Sequence, residues 1–145
     1  MTPKPKVVLD TTALVSAFLT PKGVAAQLLE RTVSSCVLVL SDDILAELIR
    51  KLLTKKKIRK AYVYEDADAR DYVEHLSALA GALVHDPVTV KGVVRDPEDD
   101  MIVACAATVA ADFIVTRDKD LLTLGTYGAI RIVTPRQFLD ELGKP

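Results

Sequence analysis

Four short runs of continuous apolar residues constrain this chain more than anything else in it: KVVLD (6–10), CVLVL (36–40), FIVT (113–116) and IRIVT (130–134). They are rich in Val and Ile, and the central ones do not alternate apolar with polar residues. A strand with one face in water alternates, whereas a continuous apolar run suits a strand covered on both faces, as in a parallel sheet. Helical patterns lie between the runs. SDDILAELIRKLLTKK (41–56) begins on a capping Ser41 with acids behind it, sets Ile44, Leu45, Leu48, Ile49 and Leu52 along one stripe, and ends basic. EDADARDYVEHLSALAG (65–81) reads as a second amphipathic helix stopped by Gly81, and VAAQLLERTV (24–33) and PRQFLDEL (135–142) as shorter ones. Strands alternating with helices predict a three-layer α/β/α fold with a mostly parallel sheet. The 145 residues, half of them hydrophobic, suit a single domain over 1–145.

In open sheets of this kind, ligands bind beyond the carboxyl ends of the strands. The residues just after each run are therefore the ones to inspect. The first run ends in Asp10, and FIVT is followed by RDKD, which supplies Asp118 and Asp120. The segment DPEDDMIVACAATVAA (96–111) opens a helix that feeds FIVT, and a helix antiparallel to parallel strands starts at their carboxyl ends. Its acids fall on the same edge. Capping accounts for most of them: Asp96 is a good N-cap, Pro97 fits the first helical position, and acids in the first turn complement the helix dipole. A carboxylate at the end of that turn, on a helix apolar on nearly every side, is less easily explained without a partner. Periodicity does not separate Asp99 from Asp100 for that role. Asp10 could itself cap a following helix, and Asp118 and Asp120 could belong to a turn. Glu47 lies at the margin of its helix's apolar stripe, where Lys51 at i+4 offers an ordinary surface ion pair.

Acids converging from separate segments repel one another unless a cation binds. An all-oxygen set without His or Cys suits Mg²⁺ or Mn²⁺, which activate water and stabilise charge on phosphate during phosphodiester hydrolysis. His75 and His85 have no second His or Cys at ligand spacing, which argues against zinc. The two cysteines, Cys36 and Cys105, lie in apolar runs and read as buried thiols of a reducing compartment. No stretch approaches a membrane span, and MTPKPKVVLD has no apolar signal core, so a cytoplasmic protein is expected. Net charge is −1, yet RKLLTKKKIRK (50–60) carries seven basic residues in eleven positions. Such a run is either a solvated helix end or an electrostatic contact for nucleic acid. Tyr62 and Tyr64 beside it are candidates for base stacking.

The order VVLDTTALVSAFL, SDDILAELIRKL, DPEDDMIVACAATVAADFIVTRDKDLL resembles the PIN-domain family, and more narrowly the toxins of bacterial and archaeal toxin–antitoxin pairs related to VapC-type ribonucleases. The likeness runs from about Val7 to about Phe138; each motif is short, and their joint order makes the match specific. It implies a metal-dependent endoribonuclease with acids at Asp10, Glu47, Asp100 and Asp118, with Asp99 and Asp120 as neighbouring helpers. Thr12 and Thr116 would be auxiliary. Many members carry Asn where Thr12 stands, so the auxiliary role there is weakened. The resemblance further implies Mg²⁺ or Mn²⁺ as cofactor, RNA as substrate, a cognate antitoxin protein and a homodimer. Lys51, Lys55, Lys56, Lys57, Arg59 and Lys60 would hold the RNA backbone. Three other readings compete. A non-catalytic PIN-like RNA-binding domain would bind no metal. A receiver-like phosphate-accepting module expects an acidic pair after the first strand and a Lys after the last, where this chain has one acid and Pro135. Haloacid-dehalogenase-type chemistry needs a second Asp where Thr12 stands.

Overall fold

The computed structural model describes residues 3–90 and 92–143; the outermost residues of the expected domain, 1–2 and 144–145, lie outside that range. Within it the chain runs β1 (Lys6–Leu9), α1 (Thr11–Leu19), α2 (Val24–Ser35), β2 (Val37–Ser41), α3 (Asp42–Thr54), α4 (Lys56–Ala61), α5 (Asp66–Leu79), β3 (Ala82–Val84), α6 (Pro97–Thr108), β4 (Phe113–Val115), α7 (Lys119–Leu124), β5 (Thr126–Tyr127), β6 (Ile130–Val133) and α8 (Pro135–Leu142). The sheet has the order β3-β2-β1-β4-β6-β5, parallel throughout except for β5 against β6. Continuous apolar runs become the buried strands for the expected reason. Val7, Val8 and Leu9 are enclosed, with Val7 opposite Leu38 on one side and Phe113 on the other.

That strand order contains a reversal. The chain steps from β1 to β2 to β3, then returns over α6 to lay β4 on the other side of β1. Parallel crossovers are right-handed, so connections that advance in opposite directions place their helices on opposite faces. Helix α6 accordingly packs on β1, β2 and β4, while α2 packs on α1 and α8. The crevice between the ends of β1 and β4 is the switch point at which such sheets take ligands.

The stripe read on α3 is buried as Ile44, Leu48 and Leu52, and Phe138 of α8 is fully enclosed against Phe113 with ring centroids 5.3 Å apart. Each such side chain is worth about 1.5–3 kcal/mol of burial. Two local readings need correction. The helix read through residue 56 breaks at Lys55, whose backbone is extended, and α4 begins anew. Side chains stabilise the break: Arg59 Nη1 and Tyr64 Oη both donate to the Leu52 carbonyl, at 3.2 and 2.6 Å. Gly81 is not the stop residue of α5, which ends at Leu79; a Cβ at Gly81 would meet Val37 Cγ1 at 2.8 Å, so close approach to β2 explains the glycine. Strands β3 and β5, of three and two residues, were too short to show a period.

Candidate active site

At the end of β1, Asp10 turns extended and caps α1, its Oδ1 accepting from the Ala13 N–H at 2.8 Å. The capping reading is therefore correct, but it uses one oxygen. The other, Oδ2, accepts from the hydroxyl of Thr116 at 2.5 Å. Thr116 ends the β4 run, is 1 % exposed, and its Oγ1 in turn accepts the Asp118 N–H at 2.9 Å. Asp118 caps α7 through Oδ1, which accepts from the N–H groups of Asp120 and Leu121 at 2.8 and 3.4 Å. A buried hydroxyl thus ties two acids from adjacent strands into one rigid unit. Burial lifts the Asp10 carboxyl above its ordinary value, and Asp118 adds to the lift, while Thr116, Ala13 and Lys51 oppose it.

Opposite stands the first turn of α6. Asp96 caps it, accepting from Glu98 N at 2.9 Å. Asp99 and Asp100 part company here. Asp100 turns to the preceding loop, where its oxygens accept from Gly92 N at 3.2 Å and Val94 N at 3.4 Å. Asp99 is 7 % exposed and lines a cleft of about 100 Å³ together with Asp10, Thr12, Asp96, Glu98 and Asp118. Of the two, Asp99 and not Asp100 lines the cleft. Three residues along a helix from Asp96, Asp99 projects toward the strand ends, and its Oδ2 is buried without a hydrogen-bond partner. Burial, reinforced by Asp118, Asp96, Asp10 and Asp120 in that order, pushes its carboxyl up to about 7.

The third wall is α3. Glu47 does not line the cleft. Arg50 Nε donates to its Oε2 at 3.1 Å and a second guanidinium nitrogen binds its Oε1, so the guanidinium holds Glu47 below the usual carboxylate range. The i+4 pair with Lys51 does not form. Lys51 instead reaches across to Glu98, Nζ to Oε2 at 2.9 Å, and lines the cleft. Asp120 sits at the rim, paired to Arg95 at 3.0 Å. Glu98 was the residue missed: nothing in a sequence links it to a lysine 47 positions earlier.

The match of the PIN domain family model to residues 6–120 covers most of the chain. The chain belongs to the PIN-domain family. An uncharacterized protein of Methanocaldococcus jannaschii, MJ1680, is 28 % identical over 151 residues, spanning 97 % of this chain and 94 % of that one. The solved VapBC2 structure from Rickettsia felis, bound to a DNA fragment from its promoter, superposes with a TM-score of 0.63 at 15 % identity, covering 89 % of this chain and 98 % of that one. This likeness extends the shared fold past the residues matched by the family model. PIN domains are generally nucleases, and the acids of this PIN domain lie where the fold's switch point predicts a site.

Whether those acids suit a metal ion can be tested on the donors themselves. Among the described residues, no three His, Cys, Asp or Glu side chains form a ready-made metal cage. The cleft offers oxygen donors only, with one buried carboxylate oxygen lacking any partner. Unpaired buried charge is costly, and a hard dication with oxygen ligands removes that cost, so the donor set fits.

The basic run is split by the α3–α4 break. Lys55, Lys56, Lys57 and Lys60 are exposed, whereas Arg59 is committed to Leu52, to Asp66 at 3.0 Å and to the Tyr64 ring 4.5 Å away. Tyr64 packs edge-on against Phe18, so its ring and hydroxyl are both occupied, and Tyr62, at 39 % exposure, is the freer aromatic. Among the described residues no single helix is long and apolar enough to cross a membrane.

Proposed function

We propose that this PIN domain is a Mg²⁺- or Mn²⁺-dependent endoribonuclease whose metal is held by Asp10, Asp99 and Asp118. The observation that carries the reading is the bare, buried Oδ2 of Asp99 in a cleft shared with the acids that follow β1 and β4. A divalent ion there would activate water and neutralise charge developing on a phosphate. The protein's own part is positional. Thr116 fixes the facing oxygen of Asp10 and the backbone of Asp118, so two acids are oriented before any ligand arrives. Glu47 acts from behind, holding Arg50 beside Glu98, and Thr12 offers an exposed hydroxyl at the cleft mouth. The exposed lysines Lys55, Lys56, Lys57 and Lys60 gather at α4 and suit an RNA backbone, which makes binding strongly salt-dependent.

In this reading the protein is the toxin of a toxin–antitoxin pair, working as a homodimer and silenced by a cognate antitoxin. The VapBC2 resemblance favours that assignment through the fold. Cleavage of a mixed single-stranded RNA with Mg²⁺ or Mn²⁺, beside EDTA and an Asp10→Asn control, tests the nuclease itself. Metal-dependent cleavage lost in the variant is expected. Equal inactivity of both proteins, with no metal bound to either by calorimetry, would leave a non-catalytic RNA-binding domain.

A further inference from the structure

Lys51 differs from every other member of the basic run. Its side chain is 12 % exposed and bonded to Glu98, whereas Lys55, Lys56, Lys57 and Lys60 stand in solvent. Its ammonium is one wall of the acidic cleft. The acids around it fall into two groups. Glu47 and Glu98 already have protein cations, Arg50 and Lys51. Asp99 has a buried oxygen with no partner at all, and the oxygens of Asp10 and Asp118 that are satisfied are satisfied by neutral donors. A dication recruited by the second group completes it. Another dication near Glu98 would have to displace or approach a fixed ammonium, and like charges at such short range repel strongly even at the effective dielectric of a protein surface.

We propose that Lys51 is the resident cation of the cleft: its ammonium, held on Glu98, takes the place a second metal ion would need and restricts the cleft to one divalent cation. The inference rests on the reading that Asp10, Asp99 and Asp118 take such an ion. It assigns Lys51 a role in metal stoichiometry that its membership of a basic run does not imply.

Titration of the metal-free protein with Mn²⁺, with free Mn²⁺ followed by electron paramagnetic resonance, reads this without any catalysis. Wild type is expected to bind one ion per chain. Lys51→Met is expected to admit a second ion or to bind the first about tenfold more tightly, since a facing positive charge has gone. Glu98→Gln, which leaves the ammonium without its counter-ion, is expected to shift affinity the opposite way, weakening it severalfold. Lys51→Arg and Lys60→Met should match wild type. The opposed signs at Lys51 and Glu98 separate an electrostatic role from a merely structural one, because misfolding would weaken binding in both. Two ions on wild type, or a well-folded Lys51→Met with unchanged stoichiometry and affinity, would overturn the inference while leaving the metal site intact. No Mn²⁺ on wild type or on either variant would remove the metal site and this inference with it.

Discussion

On the strand side of the cleft, Asp10, Thr116 and Asp118 are held by hydrogen bonds to one another and to the first N–H groups of α1 and α7; on the helix side, Glu47, Arg50, Lys51 and Glu98 are held by ion pairs whose outer members reach into water. Hydrogen bonds in a buried strand end are directional and indifferent to salt. Exposed ion pairs are neither, and most contribute little to stability. The strand side therefore sets where ligand oxygens point, and the helix side sets how much charge faces them. Position is built from capping geometry, and charge balance from side chains that can be exchanged.

The hardest test of that division is functional. Asp10→Asn is expected to lower metal-dependent RNA cleavage at least about a thousandfold, while Glu47→Gln costs about tenfold, in single-turnover assays at saturating Mg²⁺. Equal losses would break the comparison. Next comes the response of the metal-free protein to pH. Folded Asp99 keeps its proton to about 7, whereas an unfolded Asp releases it near ~3.9, so between those values the folded state binds more protons and stability falls as pH rises. Urea unfolding in EDTA should show a decline of up to about 4 kcal/mol from pH 4 to pH 8, reduced in Asp99→Asn, where the raised carboxyl of Asp10 still contributes, and retained in Asp100→Asn. Retention of the full slope in Asp99→Asn would show that Asp99 is not the buried acid. Thr116→Val removes one hydroxyl that serves both Asp10 and Asp118, and a loss of about 1–3 kcal/mol is expected in the same unfolding measurement. Smallest of all is Arg50→Ala, whose guanidinium is open to solvent: its urea midpoint should coincide with that of wild type at physiological salt.

Much of the strand side was legible before any coordinates. A continuous apolar run followed closely by an acid marks both a buried strand and its carboxyl end, so Asp10 and Asp118 could be placed on one edge from pattern and the parallel sheet alone. Thr116 closes a strand by pattern and is auxiliary by the family resemblance; that its hydroxyl reaches an acid 106 positions earlier is a tertiary fact. The choice between Asp99 and Asp100 was not legible, because consecutive residues on a helix differ by about 100° in direction and α6 is apolar on nearly every face. What decides it is the loop ahead of α6, whose N–H groups at Gly92 and Val94 draw Asp100 away. The ion pairs of α3 escaped for a related reason. Spacing offers Glu47 two basic neighbours, and only the position of Glu98 on another element decides which of them it receives.

The bond from Thr116 to Asp10 has a consequence in time as well as in space. Contacts between residues so distant in sequence carry a large loop-closure cost and form late. While the chain emerges from a ribosome, β1, β2 and their helices can assemble first, but until β4 arrives the oxygen of Asp10 has no Thr116 to orient it. The cleft comes into existence only when β4 docks beside β1, so the part of the molecule that would act on other molecules is among the last to be switched on by folding.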